Sequence, residues 1–315
     1  MRDRAQPMLA TAGPLPTGPG WAYEFKWDGV RTLADVGPSG LVLISRLGNE
    51  VTAAYPELAG IAGVAADVLL DGEVVSFVAG RPSFSALQNR MHVRAAAQAR
   101  RLAAQAPVTY LVFDVLRLYG VDLTGRPFSE RRATLERLAP DGPHWTVSPL
   151  FDDGPATAQA ATENGLEGVI AKRLSSVYRP GHRTTEWVKV RYGRRQEFVV
   201  GGWEHGEGGR AGGIGSLLLG VYEPGDRFVY SGQVGTGFTA GALRTMERAL
   251  RPLVTDTSPF ESMPPDVRGR PITWVRPEVV VEVEFAEWTP DGRLRFASFQ
   301  GVRTDKRPVE VVRER

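Results

Sequence analysis

At 315 residues, 42% of them hydrophobic, the chain is longer than one typical domain and apolar enough to build two cores. It has no cysteine, which excludes disulfides, thiol chemistry and cysteine-ligated zinc, and its four histidines (His92, His144, His182 and His205) lack the spacing of a metal site. A formal net charge of +2 confines any nucleic-acid surface to a local patch, and with neither an apolar run of about 18 residues nor an N-terminal signal core the expected compartment is the cytoplasm, at the nucleoid if DNA is bound.

Residues 1–20, rich in Pro, Gly and Ala, read as an extended lead-in. From Trp21 the sequence alternates. Tyr23, Phe25 and Trp27 share one side of an extended segment and Ala22, Glu24 and Lys26 the other, which predicts a half-buried strand with a polar front. Asp28-Gly29 then turns the chain and Arg31 follows. Leu41 to Arg46 is a second strand, ending in a polar turn. In the strand predicted over Val68 to Val75, Asp71 and Glu73 are two apart and point the same way; adjacent carboxylates repel unless a cation joins them.

Ser85 to Ala106 reads as one helix. Val108 to Leu116 is a strongly apolar strand containing Phe113, by default a core residue, and Asp114. Ser129 is the expected cap of a helix running to Leu138, and Gly165 the expected stop of another over Ala156 to Asn164. Leu166 to Arg173 is a short strand with Glu167 at its start and Lys172 near its end. In the last strand of this half, Trp187, Lys189 and Arg191 share one face while Val188 and Val190 bury the other.

The basic stretch Tyr192-Gly193-Arg194-Arg195-Gln196 is the expected boundary between domains 1–192 and 193–315. Beyond it the sequence predicts strands at Phe198–Trp203, Ser216–Tyr222, Phe228–Val234, Val279–Trp288 and Leu294–Phe299, with one helix near Ala240–Leu250. Five short strands and a helix fit a small Greek-key barrel of the OB type. The glycine-rich residues 201–215 lack the Gly-Lys-Ser/Thr ending of a phosphate-binding P-loop and read as an inter-strand loop.

Of the 38 basic side chains only four are lysine: Lys26, Lys172, Lys189 and Lys306. Where any cation suffices, this chain uses arginine. A retained lysine marks a position where the amine itself matters, because lysine can lose its proton and act as a nucleophile. The polar fronts together hold Lys26, Asp28, Arg31, Arg46, Asp71, Glu73, Glu167, Lys172, Lys189 and Arg191. Cations suit phosphate oxygens and carboxylates suit Mg²⁺. A neutral amine that attacks a nucleotide phosphorus and displaces pyrophosphate uses both. Only about 0.1% of a free lysine is neutral at pH 7.4, so neighbouring cations and a metal would have to lower its pKa.

Lys26-Trp27-Asp28-Gly29 resembles the Lys-x-Asp-Gly motif of covalent nucleotidyltransferases. Ser45-Arg46-x-Gly48, Asp71-Gly72-Glu73, Phe113-Asp114, Glu167-Gly168-x-x-x-Lys172, Trp187-x-Lys189 and Arg303-x-Asp305-Lys306 resemble that superfamily's later motifs, in order and over nearly the whole chain. The strongest likeness is to the ligase module of bacterial ligase D-type, ATP-dependent DNA ligases of end joining. Gly206-Glu207-Gly208-Gly209-Arg210 before Gly215-Ser216-Leu217-Leu218-Leu219-Gly220, and Gly232-x-Val234-Gly235-Thr236-Gly237-Phe238, are similar to that group in particular.

The resemblance implies an α+β chain: a nucleotidyltransferase (adenylation) domain of ATP-grasp-like antiparallel sheets with helices, followed by an OB-fold β-barrel. It implies ATP and Mg²⁺ (or Mn²⁺) as cofactors and a nick in double-stranded DNA as substrate. Lys26 would carry AMP, Glu24 would read the adenine amino group, Phe113 would stack on the base and Glu73 would hold the ribose. Asp28 and Glu167 would serve metal and transition-state roles, with Glu73 a further metal candidate. Arg31 and Arg46 would contact the ribose or the 5′-phosphate of the nick, and Lys172, Lys189 and Arg191 the α-phosphate. Arg303 and Lys306 would orient the leaving pyrophosphate. Two positions depart from the pattern: Arg191 stands where a second lysine is common, and Ala297 where a proline is common. Only 25 residues precede Lys26, too few for a nicotinamide-reading module, which favours ATP over NAD. By family alone, Ku and separate polymerase and nuclease chains are expected partners of a monomer. RNA ligases, capping guanylyltransferases and a non-catalytic nick-binding module are the alternatives.

Overall fold

The computed structural model describes residues 6–91, 93–192, 195–206, 212–262, 267 and 271–314. The chain divides into two units, Met1–Tyr192 and Gly193–Arg315. His92, the Gly193-Arg194 step and Glu207-Gly208-Gly209-Arg210 of the glycine-rich signature lie outside the described residues.

The first unit is built on two sheets. Its strands are β1 (Leu9–Ala12), β2 (Trp21–Lys26), β3 (Val30–Gly37), β4 (Gly40–Ser45), β5 (Val68–Val78), β6 (Arg81–Pro82), β7 (Val108–Leu118), β8 (Val121–Asp122), β9 (Trp145–Val147), β10 (Gly168–Arg173) and β11 (Arg183–Arg191). The small sheet runs β1-β11-β10-β2, and the large one β4-β3-β5-β7-β8, with β6 beside β5 and β9 beside β7. Helices α1 (Phe84–Gln88), α2 (Ala96–Gln105), α3 (Phe128–Leu138) and α4 (Gly154–Glu163) complete the unit. Three apolar clusters follow from strand alternation. Ala34, Val36, Leu70 and Val112 of the large sheet pack with Leu58, Leu87 and Leu135. Leu33, Ile44, Leu69 and Leu116 of that sheet turn the other way and meet Trp187 of the small one. The far face of the small sheet, Tyr23, Val169 and Ala171, packs on Ala161 of α4.

Several local expectations are corrected here. The lead-in is not merely extended: β1 pairs in parallel with β11, and Met8 beside it is fully buried. The single helix expected over Ser85–Ala106 is two, because Arg90 between them is buried and donates to Glu57 and to the carbonyls of Ala54 and Ala106. A guanidinium satisfied by carbonyls outside its own segment cannot lie on a solvated helix face. The N-cap of α3 is Pro127, not Ser129. Trp187 does not front a solvated face; it is buried between the sheets.

In the second unit the strands are β12 (Arg195–His205), β13 (Ile214–Glu223), β14 (Arg227–Val234), β15 (Val254–Thr255), β16 (Ile272–Val275), β17 (Val280–Glu284), β18 (Glu287–Trp288), β19 (Leu294–Arg295) and β20 (Ser298–Val302), with helix α5 at Ala240–Leu250. The path β14-β13-β12-β16-β15 is joined by β17 on β12 and by β20 on β17. Register shifts within β12–β13, β13–β14 and β17–β20 bend the strands around one apolar core. The strand expected over Val279–Trp288 breaks into β17 and β18, which join different sheets. The strand expected over Leu294–Phe299 breaks at Phe296, whose φ is +54°. The two-residue β15 and the four-residue β16 are too short to have shown a period.

One buried ion pair anchors the first unit. Arg131 of α3 and Asp114 of β7 are both fully buried and joined by two hydrogen bonds of 2.8 Å, and Arg131 also donates to the carbonyls of Arg126 and Ser176. Removing one partner of such a pair strands a charge away from water. Arg131→Ala is therefore expected to destabilise this unit by about 3–5 kcal/mol, measured by denaturant unfolding, whereas exposed Arg137→Ala should fall within about 0.5 kcal/mol of wild type.

Candidate active site

The three residues between β2 and β3, Trp27-Asp28-Gly29, carry the chain from one sheet to the other. Lys26 pairs with Gly168 in the small sheet, and Arg31 with Glu73 in the large one. Gly29 makes the crossing possible, since a Cβ there would sit 2.4 Å from the Val74 carbonyl oxygen. Opposite Lys26, Gly168 has φ +156°, and a Cβ would lie 1.9 Å from the Val190 carbonyl oxygen. Both motif glycines are thus required by backbone crowding.

Alternation aims the side chains. Tyr23 and Phe25 of β2, Val169 and Ala171 of β10 and Val188 of β11 pack toward α4. Glu24, Lys26, Lys172, Lys189 and Arg191 consequently project from the opposite face, toward the large sheet. Arg31, Asp71 and Glu73 share the alternation of Leu33 and Leu69, which face back. Phe113 is delivered by a bulge: Asp71 pairs with Asp114 and Gly72 with Val112, leaving Phe113 as the extra residue. Such bulges re-aim a side chain.

Three groups of charges fill the gap. Lys26 Nζ forms an ion pair with Glu167 Oε2, and Arg191 Nε is 2.9 Å from Glu167 Oε1. Lys172 Nζ is 2.8 Å from Glu24 Oε2, with Arg132 Nη1 3.8 Å from the same carboxylate. The Lys172 ammonium also lies 4.2, 4.8 and 4.4 Å from the ring centroids of Phe113, Phe128 and Trp187. Burial pushes the Glu24 carboxyl up, against the pull of Lys172 and Arg132, and pushes the Lys172 ammonium down, against Glu24 and Asp114. In the third group Arg31 donates to Asp71 through Nε at 2.5 Å and Nη2 at 2.6 Å. Tyr178 Oη donates to Asp71 Oδ2 at 2.6 Å and accepts from the Met8 N–H at 2.9 Å. The Arg31 guanidinium sits 4.4 Å from the Phe113 ring centroid.

The adjacent carboxylates Asp71 and Glu73 are therefore reconciled as expected, by a cation on the neighbouring strand. Asp28 is buried at the crossing, and Arg46, Glu73 and Lys189 are half-buried around the gap. Lys172, expected at a phosphate, is 1% exposed and pairs with Glu24 inside an aromatic cage. Arg303 and Lys306 belong to the second unit. There Arg303 is buried and bonded twice to Asp305 at 2.9 Å, with Glu282 at 3.7 Å, while Lys306 lies 3.3 Å from Glu197. Sequence reasoning missed Tyr178 and Arg132. Tyr178 sits in an irregular stretch without period, and Arg132 on α3 reads as a solvated cation until the fold buries it.

Among the described residues no three acidic or histidine side chains form a metal cluster, so Asp28, Glu73 and Glu167 do not make a protein-only cage. Hard carboxylates set among phosphate-type cations fit instead a Mg²⁺ held by one or two carboxylates and shared with substrate phosphates. No helix of the described residues is long and apolar enough to cross a membrane.

The chain matches two families: the ATP dependent DNA ligase domain over residues 7–191 and the ATP dependent DNA ligase C terminal region over residues 210–306. It is 44% identical over 318 residues to the multifunctional non-homologous end joining DNA repair protein LigD of Mycobacterium tuberculosis, covering 99% of this chain but 40% of that protein. To the LigD of Pseudomonas aeruginosa it is 37% identical over 323 residues, again spanning 37% of the relative's length. A solved mycobacterial DNA ligase D complexed with ATP and MES is 41% identical, with a TM-score of 0.70 and complete coverage of both chains.

The second unit's ion pair carries a pH signature. Burial alone would raise the Asp305 carboxyl, but the Arg303 guanidinium holds it below its usual range. A depressed carboxylate contributes stability that is fully present above its unfolded pKa near 4 and is lost as pH falls through the lower folded value. The stability difference between wild type and Asp305→Asn should accordingly shrink as pH falls below the ordinary carboxylate range near 4, measured by denaturant unfolding at a series of decreasing pH values.

Proposed function

The chain belongs to the ATP-dependent DNA ligases, and on that premise we propose that the gap between the two sheets of the first unit is its adenylation site, with Lys26 as nucleophile. The observation that carries this reading is the placement of Lys26. It ends β2 at the crossing, is 17% exposed, and sits against Glu167 and Arg191 on the same cationic face as Lys189. The Lys26 amine, once deprotonated, attacks the α-phosphorus of ATP; a P–N bond forms and pyrophosphate leaves. A 5′-phosphate oxygen at the nick then attacks that phosphorus, breaking the P–N bond and returning the amine. The 3′-hydroxyl finally attacks the 5′-phosphorus, a phosphodiester forms, and AMP leaves.

The residues divide along the gap. Glu24 and Lys172, sealed behind Phe113, form the base end, so Lys172 serves the adenine side in place of the α-phosphate. Phe113 supplies the stacking face. Glu73 and Arg31 are placed for the ribose, and Arg46 for ribose or 5′-phosphate. Lys189 and Arg191 meet the α-phosphate, where a guanidinium can pair with two oxygens. Asp28 and Glu167 would hold Mg²⁺ together with phosphate oxygens; the ion would neutralise charge that builds on the phosphorus. Arg303 and Lys306 serve pyrophosphate departure, with Asp305 fixing the Arg303 fork. Preorganised cations of this kind act without reorganising at the moment of reaction.

The chain spans about two fifths of the length of the LigD relatives it matches, at 40% for the mycobacterial protein. Their names support a place for this nick-sealing activity in non-homologous end joining DNA repair. On the family resemblance alone, Ku and separate polymerase and nuclease chains are its proposed partners.

Incubation with α-labelled ATP and Mg²⁺ or Mn²⁺ should label the protein, and Lys26→Arg, correctly folded, should abolish the label. Failure of wild type to label, or unchanged labelling of the variant, sinks the assignment. Tyr178→Phe keeps the ring but releases Asp71, which orients Arg31. It is expected to destabilise the first unit by about 1–3 kcal/mol in denaturant unfolding, because buried Asp71 and the Met8 N–H each lose a partner, and to lower kcat/KM for nick sealing roughly tenfold at a temperature where the variant is still folded.

A further inference from the structure

Most of the described arginines of the second unit have partners of their own. Arg195, Arg227, Arg276, Arg293, Arg295 and Arg307 each have a carboxylate at 2.5 to 3.4 Å. Arg303 is buried against Asp305, and Arg313 lies 4.4 Å from the Trp288 ring centroid. Among the described residues, Arg244, Arg248 and Arg251 make no ion pair, hydrogen bond or ring contact, and all three are exposed.

These three are not scattered. They stand at i, i+4 and i+7 on α5 and its C-cap, within about 60° of arc at 100° per residue. The opposite face of the helix is its anchor: Met246 and Leu250 are fully buried, and Ala242 and Leu243 pack on the same core. The stripe is thus held on a fixed backbone. Glu247 flanks it, half-buried, and makes no ion pair with any of the three. Among the described arginines of this unit, most of the others are paired with a carboxylate, and these three aligned, uncompensated guanidinium groups form a local positive ridge.

We infer that the Arg244–Arg248–Arg251 ridge of α5 is a contact for the phosphate backbone of duplex DNA. The ridge spans about 10 Å of helix axis. One strand of B-DNA presents a phosphate every ~3.4 Å of its axis, so the ridge is long enough to engage about three successive phosphates of one strand. Arginine forks suit this, and such contacts carry no sequence information, as sealing at any nick requires. The inference rests on the nick-sealing reading, yet it concerns DNA grip alone: transfer of AMP to Lys26 needs no DNA and reports on that reading separately.

The test is the salt dependence of binding to a fluorescein-labelled nicked duplex, measured by anisotropy from about 50 to about 200 mM salt with the 315-residue chain. Each phosphate contact contributes about 0.9 to the slope of log affinity against log salt. The triple variant Arg244→Gln, Arg248→Gln, Arg251→Gln should therefore lose about 2.7 from the slope. Over this salt range that corresponds to about 40-fold less loss of affinity than in wild type. Self-adenylation should be unchanged. The triple Arg→Lys variant, which keeps the charges, should keep the wild-type slope. An unchanged slope in the Gln variant overturns the inference. So does a slope lost equally in the Lys variant, which would assign the effect to damage to α5.

Discussion

The site depends on one topological constraint: β2 and β3 are consecutive in sequence but belong to different sheets. Three residues must carry the chain across the gap between them, and alternation aims the last side chain of β2 and the second of β3 toward each other's sheet. Lys26 and Arg31 occupy those positions. Close backbone approach at Gly29 and Gly168 brings the strands near enough for Glu167, at the entry of β10, to meet the Lys26 amine. The remaining charged residues of the gap come from the two facing surfaces.

The interior of that gap is electrostatically closed. Asp71, Asp114 and Glu24 are each matched by Arg31, Arg131 and Lys172, with Tyr178 and Arg132 adding further partners. Ions removed from water are tolerated only when every partner is in place, so these groups hold one another in a single geometry. The Lys26–Glu167–Arg191 group differs, because its lysine remains partly open to water. A rigid, saturated interior backs a mouth where a nucleotide's phosphates can reach the amine. On the proposed adenylation reading, the same division separates base recognition from phosphate chemistry within one sheet.

The second unit shows a similar contrast between saturated and open charge. Arg303 is locked by Asp305 and Glu282, and most of the described surface arginines have carboxylates of their own, which lowers the local field around them. Against that background the ridge on α5 is the part of the second unit's described surface where aligned arginines are left for an external anion. A modest net charge over the whole chain is thus compatible with a strong local grip on DNA.

The sequence alone determined which residues matter and what kind of chemistry they support. The alternation of Tyr23 and Phe25 against Glu24 and Lys26 fixed a strand with a polar front, because the two-residue period of a strand admits no other sorting. The scarcity of lysine among the basic residues singled out Lys26, and the ordered motifs pointed to the ligase family. Only the tertiary structure decided how those residues divide. Lysine content treats Lys26 and Lys172 alike, yet one opens to water and the other is sealed among Phe113, Phe128 and Trp187. Tyr178, Arg90, Arg131 and Arg132 gave no periodic signal, since each is buried by partners distant in sequence and not by its own element. Local pattern fixes the direction of a side chain from its strand; what it meets there depends on long-range pairing, which leaves no trace in local spacing.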